Sequence, residues 1–195
     1  MRKSKVKRKT KETNISCTTN LDGKGNSKIA TGVGFFDHML EIFSYHSLIN
    51  LEIKVVGDTH VDLHHTVEDT GYALAQAITK ALGNKKGIRR YGFFYIPMDD
   101  CLSRCVVDFS GRPELVWNVK LGLKKIGKME TELFKEFFKA FTNEAKCNLH
   151  IENLYGKNNH HIIESCFKAF AKSIRIAIEI DKKTKNTVPS SKGSL

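Results

Sequence analysis

The sequence contains no long hydrophobic run and no paired cysteine motif. No segment approaches the roughly 18 consecutive apolar residues that a membrane-spanning helix requires, and the first residues lack the apolar segment of a secretory signal. The five cysteines are odd in number, and no two stand as Cys-x-x-Cys, which argues against a disulfide framework. We therefore expect reduced thiols, a cytoplasmic location and no membrane partner.

The bulk composition is that of a folded protein. Hydrophobic residues make up 41% of the 195 residues, which is enough for a packed core and argues against disorder. A chain of this length forms one ordinary domain, or two small and similar halves that share a core.

Positive charge is concentrated at the N-terminus. The formal net charge is +11, and residues 1–12 contain seven Lys or Arg and one Glu. We interpret residues 1–7 as a basic N-terminal arm, which could bind nucleic acid, remain a solvated tail or line a site for a phosphate ester. Because no aromatic residues are interleaved with these charges, the pattern disfavours nucleic acid as a partner.

Apolar spacing and turn residues predict an order of strands and helices that repeats along the chain. Strands are predicted at 14–19, 51–55, 93–98, 101–109, 115–120 and 147–151. Helices are predicted at 35–47, from 64 to about 82, at 131–142 and from 160 to about 180. The helix at 131–142 carries a stripe of Leu and Phe that indicates a core face, not a cofactor site.

An internal repeat accounts for this order. Shifting the chain by 96 residues places His64 on His160, and seven of nineteen residues from 64 to 82 are then identical. The sequence therefore predicts an α+β fold of two duplicated halves, about 8–95 and 96–188. Each half is expected to be a small β-sheet covered on one face by helices.

The repeated helices both begin with His-His-x-x-Glu, which is a pattern of metal ligands. Residues i and i+4 share one helix face, so His64 and Glu68 can bind one ion, whereas His65 points about 100° away. His160, His161 and Glu164 repeat the arrangement. Imidazole and carboxylate donors without thiolates suit Mn, Fe, Zn, Co or Ni. One such motif alone could be a surface feature, but two matched copies favour two metal ions.

Two further histidines are candidate ligands. Coordination of two ions by three His and one Glu each would need six His, and the motifs supply four. His38 and His150 are the best candidates for the other two, although either could be a structural histidine. For His46 we prefer a contact with substrate.

Seven motifs together resemble the imidazoleglycerol-phosphate dehydratase family over Arg8 to Leu195. They are RKTKET at 8–13, GFFDHML at 34–40, DLHHTVED at 62–69, PMDD at 97–100, DFSGRP at 108–113, NNHHIIE at 158–164 and SSKG at 190–193. The resemblance implies a duplicated fold like domain 2 of ribosomal protein S5, and two manganese ions per active site. It also implies a homo-oligomer, a large octahedral shell of about 24 subunits with active sites between them.

The resemblance implies a role for each matched position. The metal ligands would be His38, His64, His65, Glu68, His150, His160, His161 and Glu164. The substrate phosphate would meet Arg90, Arg112, Lys168, Ser190 and Lys192, the last two in a loop of the C-terminal tail at 181–195. Glu12, His46 and Asp99 match catalytic and other substrate-site positions. Ile42 stands where relatives usually carry Gln, and Ser191 where Thr is usual.

The implied reaction converts imidazole glycerol phosphate to imidazole acetol phosphate in histidine biosynthesis. In our hypothesis a metal on the imidazole favours an imidazolate, which expels the hydroxyl group through a diazafulvene-like intermediate. Glu12 would shuttle the carbon-bound proton. Two alternatives remain at this point, a binuclear metallohydrolase and an RNA-binding protein whose affinity falls steeply with salt.

Overall fold

Each half of the chain folds into one four-stranded sheet and two long helices. The computed structural model describes residues 2–195. The first half comprises β1 (Lys3–Lys9), β2 (Thr13–Asn20), β3 (Ser27–Ala30), α1 (Gly34–Ser47), β4 (Asn50–Gly57) and α2 (His64–Leu82). The second comprises β5 (Tyr91–Met98), β6 (Cys101–Asp108), β7 (Glu114–Asn118), β8 (Lys125–Ile126), β9 (Met129–Glu130), α3 (Glu132–Ala145), β10 (Asn148–Tyr155) and α4 (Asn159–Ile178).

The two sheets have the same topology, which confirms the predicted duplication. Their strand orders are β1-β2-β4-β3 and β5-β6-β10-β7. In both sheets the central pair is antiparallel, and the last strand runs parallel to its neighbour. The short hairpin of β8 and β9 is an addition of the second half. The fold is therefore α+β and built from two equivalent units.

The helices of the two halves pack against each other, between the sheets. α2 contacts β1 and β2 and packs on α3, while α4 contacts β5 and β6 and packs on α1. Aromatic rings fill this layer, with Phe138 and Phe167 at 4.9 Å and Phe43 and Phe170 at 5.1 Å between ring centroids. The Phe stripe of α3 is fully buried, so its interpretation as a core face is confirmed.

The basic N-terminal segment is a strand and not a separate arm. Residues 3–9 form β1, which pairs with β2 along its whole length. Lys3, Lys5, Lys7 and Lys9 are exposed, whereas Ser4 and Val6 between them are buried. The prediction of an arm at 1–7 is therefore wrong for residues 3–7. Exposed lysines alternate there with buried residues, which is the period-two pattern of a strand, but the number of lysines made the segment look like a charged tail. Met1 lies outside the described residues.

Other differences concern the ends of elements and short strands. β3 and the β8–β9 hairpin were not predicted, and β4 and β10 extend beyond their predicted limits. All five cysteines are buried and free, and burial raises the pKa of the Cys17 thiol to about 12. None of the described helices is long and apolar enough to cross a membrane.

Close packing of α2 on α3 should make Gly71 sensitive to substitution. A Cβ at this position would lie 2.6 Å from the Phe137 carbonyl oxygen. We expect Gly71→Ala to destabilise the fold by about 1–3 kcal/mol, because overpacking outweighs the gain in helix propensity. The measurement is the thermal unfolding midpoint at matched protein concentration.

Gly34→Ala is the matched control, since a Cβ at this helical position meets no atom within 4 Å. Its midpoint should equal or exceed that of the wild type. A Gly71→Ala protein as stable as Gly34→Ala would contradict this account of the α2–α3 contact.

Candidate metal and substrate site

Both His-His-x-x-Glu motifs begin a helix, and the same local device fixes each beginning. The Asp62 carboxylate accepts a hydrogen bond from the backbone N–H of His64 at 2.8 Å. The Asn158 side-chain oxygen accepts one from the N–H of His160 at 3.0 Å. Capping of this kind satisfies donors at the helix end. It therefore holds the first turns of α2 and α4, where the histidines lie.

A first cluster of ligand atoms forms where α1 packs on α4. Nε2 of His38 lies 3.6 Å from Oε2 of Glu164, and Nε2 of His160 lies 3.1 Å from the same oxygen. Ligand atoms of the three residues all lie within 4.8 Å of one another. The packing of helices from different halves thus brings together three residues that are distant in sequence.

Several neighbouring side chains stabilise the ionised form of Glu164. Nζ of Lys168 lies 2.7 Å from its Oε1 atom. Burial by itself would raise the pKa of Glu164, but Lys168 and the two histidines outweigh burial and bring it below its usual value. The group is therefore ionised, as a metal ligand must be.

A second cluster forms where α2 packs on α3. Nε2 of His64 lies 3.9 Å from Oε2 of Glu68, in the helical pairing expected from their spacing. Glu136 of α3 completes the cluster, and the three ligand atoms again lie within 4.8 Å of one another. Sequence analysis did not identify Glu136.

The internal repeat relates the two clusters. A shift of 98 residues places α1 on α3, Phe36 on Phe134 and His38 on Glu136. The shift of 96 residues that aligns the motifs hides this correspondence, because the loops of the two halves differ by two residues. Glu136 could therefore have been identified from the sequence by aligning α1 with α3 separately.

The second histidine of each motif faces elsewhere. Nδ1 of His65 lies 3.0 Å from Oδ2 of Asp58, and Nδ1 of His161 lies 2.9 Å from Oδ1 of Asp100. Hydrogen bonding with Asp58 raises the pKa of His65 above its usual value. Such carboxylates orient a metal-binding imidazole through its other nitrogen.

Asp100 forms a third group with His161 and Cys101. Hydrogen bonds from His161 and from the backbone N–H groups of Lys157 and Asn158 hold the pKa of Asp100 well below its usual range. Because these donors already occupy its oxygens, we interpret Asp100 as a carboxylate that orients His161. Neighbouring Asp99 is exposed, with φ of 46° and Oδ2 at 3.6 Å from Nε2 of His161.

His150 lies apart from all of these residues. It is exposed on β10, opposite Val106 and Val116, while Leu149 and Ile151 on either side are buried. Alternation along the strand therefore directs His150 to the outer face of the second sheet, away from the helices. Within one chain His150 therefore joins neither cluster, and its assignment as a metal ligand stays a prediction.

Two substrate-site candidates lie within electrostatic range of residues of the two motifs. Glu12 is exposed in the turn between β1 and β2, where its charge acts on His65. His46 lies two turns beyond His38 on α1. Burial and then the charges of Lys172 and Lys168 lower its pKa below the usual value, so its imidazole is neutral at neutral pH.

The candidate phosphate residues gather at the opposite ends of β6 and α4. Arg90 donates two hydrogen bonds to Asp108, at 2.6 and 3.1 Å, and a third to the Pro189 carbonyl at 3.0 Å. This anchors the C-terminal loop that carries Ser190 and Lys192. Arg112 lies in the turn after β6, where it donates to the Ser110 carbonyl.

Strand and helix lengths show how far these residues are from the candidate metal ligands. Asp100 precedes β6 and Asp108 ends it, which implies a separation of roughly 26 Å at the usual rise of a strand. His160 begins α4, and Arg90 bonds to Ala177 near its end, roughly 26 Å away by helical rise. Lys168 is the exception, because it touches Glu164.

Comparisons with known proteins agree on one family. Residues 31–174 match the family model of imidazoleglycerol-phosphate dehydratase. The curated imidazoleglycerol-phosphate dehydratase of Sinorhizobium fredii is 56% identical over 194 residues, 100% of this chain and 96% of that protein.

Two crystal structures of imidazoleglycerol-phosphate dehydratase share the fold. The Staphylococcus aureus structure has a TM-score of 0.83 and 40% identity, and covers 92% of this chain and 99% of its own. The Pyrococcus furiosus structure, a complex with (S)-C348, has a TM-score of 0.85 and 30% identity, and covers 97% and 100%. Sequence and fold together show that this chain belongs to the imidazoleglycerol-phosphate dehydratase family, enzymes of histidine biosynthesis.

Proposed function

We propose that the chain is a manganese-dependent dehydratase that converts D-erythro-imidazole-glycerol phosphate to imidazole-acetol phosphate. The observation that carries this proposal is the pair of ligand clusters related by the internal repeat, one containing His38, His160 and Glu164 and the other His64 and Glu68. One convergent group of this kind is common on protein surfaces. Two equivalent groups in a chain of this family support two ions per active site.

The donor atoms fit manganese. Imidazole nitrogens and carboxylate oxygens converge without a thiolate, a set that suits Mn²⁺ and related ions rather than a structural zinc site. When bound, the ions would supply Lewis-acid polarisation of the substrate imidazole, which favours loss of the hydroxyl group. The protein positions the substrate and moves its protons.

Glu12 is well placed to move the carbon-bound proton. Its backbone N–H donates to Oγ1 of Thr10 at 3.1 Å, and its carbonyl accepts from the N–H of Asp58 at 3.1 Å. The backbone is thus held, while the carboxylate makes no hydrogen bond to another described residue. A held backbone with a free carboxylate suits a general base.

The basic residues have distinct parts in phosphate binding. Arg112 and Lys192 have charged groups without a carboxylate partner among the described residues, so they can meet the phosphate directly. The Arg90 guanidinium already donates to Asp108 and to the Pro189 carbonyl. We therefore assign Arg90 to holding the loop that carries Ser190 and Lys192. Lys168, whose ammonium group pairs with Glu164, would link the bound phosphate to that carboxylate.

A single chain places most of its phosphate residues too far from its own metal ligands for one small substrate. We therefore propose that active sites form between copies of the chain in a homo-oligomer, in keeping with the octahedral shell of about 24 subunits in the family. His65 and His161, which face away from the clusters, are free to complete those of a neighbouring copy. Tyr91, Phe93 and Tyr95, exposed on the second sheet, fit burial between subunits.

Metal dependence gives the most direct test of the reaction. Chelation should abolish turnover of imidazole glycerol phosphate, and added Mn²⁺ should restore it, because the ligand clusters act only when filled. Product is measured by the absorbance of enolised imidazole acetol phosphate. Release of inorganic phosphate without that absorbance would instead indicate a binuclear hydrolase.

Removal of Glu12 should separate proton transfer from metal binding. We expect Glu12→Gln to lower kcat by roughly 100-fold or more, the scale of general-base catalysis, with unchanged metal content by mass spectrometry. Lys11→Gln, in the same turn, serves as the control. Loss of metal together with activity would contradict the assignment of Glu12 as the base.

Sites shared between subunits predict complementation. Glu12→Gln and Arg112→Ala chains should each be nearly inactive alone. Co-expressed and co-assembled, they should regain up to roughly a quarter of wild-type activity, because random mixing then creates sites in which both residues are native. No recovery in verified mixed assemblies would place Glu12 and Arg112 of one chain in the same site.

A further inference from the structure

The turn that carries Glu12 is fastened on both sides to one carboxylate of α2. Arg8, near the end of β1, donates from Nε to Oδ1 of Asp69 at 2.8 Å, and its Nη2 lies 2.7 Å from the same oxygen. Thr13, at the start of β2, donates its hydroxyl proton to Oδ2 of Asp69. Glu12 lies between these two anchors in the chain. The carboxylate of Asp69 therefore ties both strands of the hairpin to one helix.

Threonine hydroxyls continue this network into the turn itself. Oγ1 of Thr10 accepts from the backbone N–H of Glu12 at 3.1 Å and from that of Thr13 at 2.9 Å. Because Thr13 gives its only hydroxyl proton to Asp69, Thr10 is the donor in the 3.2 Å contact between the two hydroxyls. An unbroken chain of hydrogen bonds thus joins the backbone of Glu12 to the carboxylate of Asp69.

Asp69 lies on the same face of α2 as His65, because the two residues are four apart in one helix. His65 is hydrogen bonded to Asp58 at 3.0 Å. The backbone N–H of Asp58 donates in turn to the carbonyl of Glu12 at 3.1 Å. The turn is therefore held at a fixed place relative to the second histidine of the first motif.

The network is more deeply buried than an ordinary surface ion pair. The Asp69 side chain is 10% exposed and Thr13 is buried, while the Arg8 side chain is 36% exposed. The attraction within a largely buried ion pair is offset by removal of both charges from water, so the pair adds little net stability. The geometry that these charges impose is therefore a better explanation for them than the stability of the fold.

Among the described residues of the second half there is no ionic counterpart of this network. The shifts of 88 and 96 residues place uncharged side chains at all three corresponding positions, which are Ile96, Cys101 and Ser165. In that half Asp100 stands at the position of Glu12, and it is bonded directly to His161 and to two backbone N–H groups. The ionic network thus accompanies the turn whose acid makes no such bonds with described residues.

We propose that Asp69 is a positioning residue for Glu12. Its bonds to the two strands fix where the turn, and hence the carboxylate of Glu12, lies relative to α2. This inference rests on the proposed function, in which Glu12 moves the carbon-bound proton. Misplacement of a reacting group by about 1 Å can lower a rate on the order of 100-fold. A loosened turn therefore lowers kcat while metal binding is unchanged.

Removal of single hydrogen bonds tests this role in the assembled, Mn²⁺-loaded protein. Asp69→Asn removes the charge and one acceptor, and Thr13→Val removes the hydroxyl with little change in shape, whereas Thr13→Ser retains the hydroxyl. Ser4→Ala is the matched control, since Ser4 joins β1 to α2 by a buried hydrogen bond to the Ala77 carbonyl at 2.7 Å. The measurements are kcat, KM, bound metal per chain, thermal unfolding and amide hydrogen exchange of residues 10–13. Size-exclusion profiles establish that each variant assembles.

The expected results separate positioning from stability. Asp69→Asn and Thr13→Val should each lower kcat roughly 10–100-fold, with KM and metal content unchanged and faster amide exchange in the turn. Thr13→Ser should retain most of the wild-type kcat. Ser4→Ala should lower the thermal midpoint by about 2–4 °C and leave kcat unchanged. In a Glu12→Gln background, Asp69→Asn should lower kcat by less than about twofold more, because its effect passes through the lost carboxylate.

Wild-type kcat in folded, assembled Asp69→Asn and Thr13→Val proteins would overturn the positioning role, and Thr13→Val decides alone if Asp69→Asn does not assemble. An equally large loss of kcat in the Glu12→Gln background, or loss of bound metal together with kcat, would also overturn it, because Asp69 would then act through another group. Metal-loaded wild type without dehydratase activity would instead refute the proposed function. That outcome differs from an active wild type with equally active variants, which refutes the positioning role alone.

Discussion

Packing of helices across the two halves is the constraint on which the site depends. Neither half by itself contains one of the clusters. His38 of α1 lies beside residues of α4, and Glu136 of α3 lies beside residues of α2. The Phe-rich layer between the sheets sets the spacing of these helices. A change in that core would move ligand atoms even if no ligand were altered. The stability of the fold and the geometry of the candidate ligands therefore depend on the same helix packing.

The repeat supplied equivalent positions that were then used differently. A shift of 88 residues places the β1–β2 turn on the β5–β6 turn, and Glu12 on Asp100. Both acids lie near the second histidine of a motif. Asp100 is tied to His161 and to two backbone N–H groups, whereas the carboxylate of Glu12 is free. The acid of one turn thus orients a candidate metal ligand, whereas the carboxylate of its counterpart has no hydrogen-bond partner among the described residues.

Much of this arrangement could be predicted from sequence, and the remainder has identifiable causes. Helical spacing correctly paired His64 with Glu68, and periodicity found all four helices. Glu136 was not identified because loops of unequal length divide the repeat into segments that are related by different shifts, of 88, 98 and 96 residues. For His150 the alternation with buried Leu149 and Ile151 indicates the outer face of the sheet, but one sequence cannot say which copy of the chain meets that face. Tertiary packing, which no local pattern contains, decides which ligands meet.

The lysine-bearing strand β1 has a consequence for any shortened form of the protein. β1 is an edge strand, and its row of exposed lysines discourages pairing with strands of other molecules. The opposite face of β1 covers α2 through Val6 and through Ser4, which donates to the Ala77 carbonyl. Deleting the first nine residues would remove the exposed lysines from this edge of the sheet and expose the backbone of β2. The shortened protein would then present an unprotected edge strand and aggregate more readily.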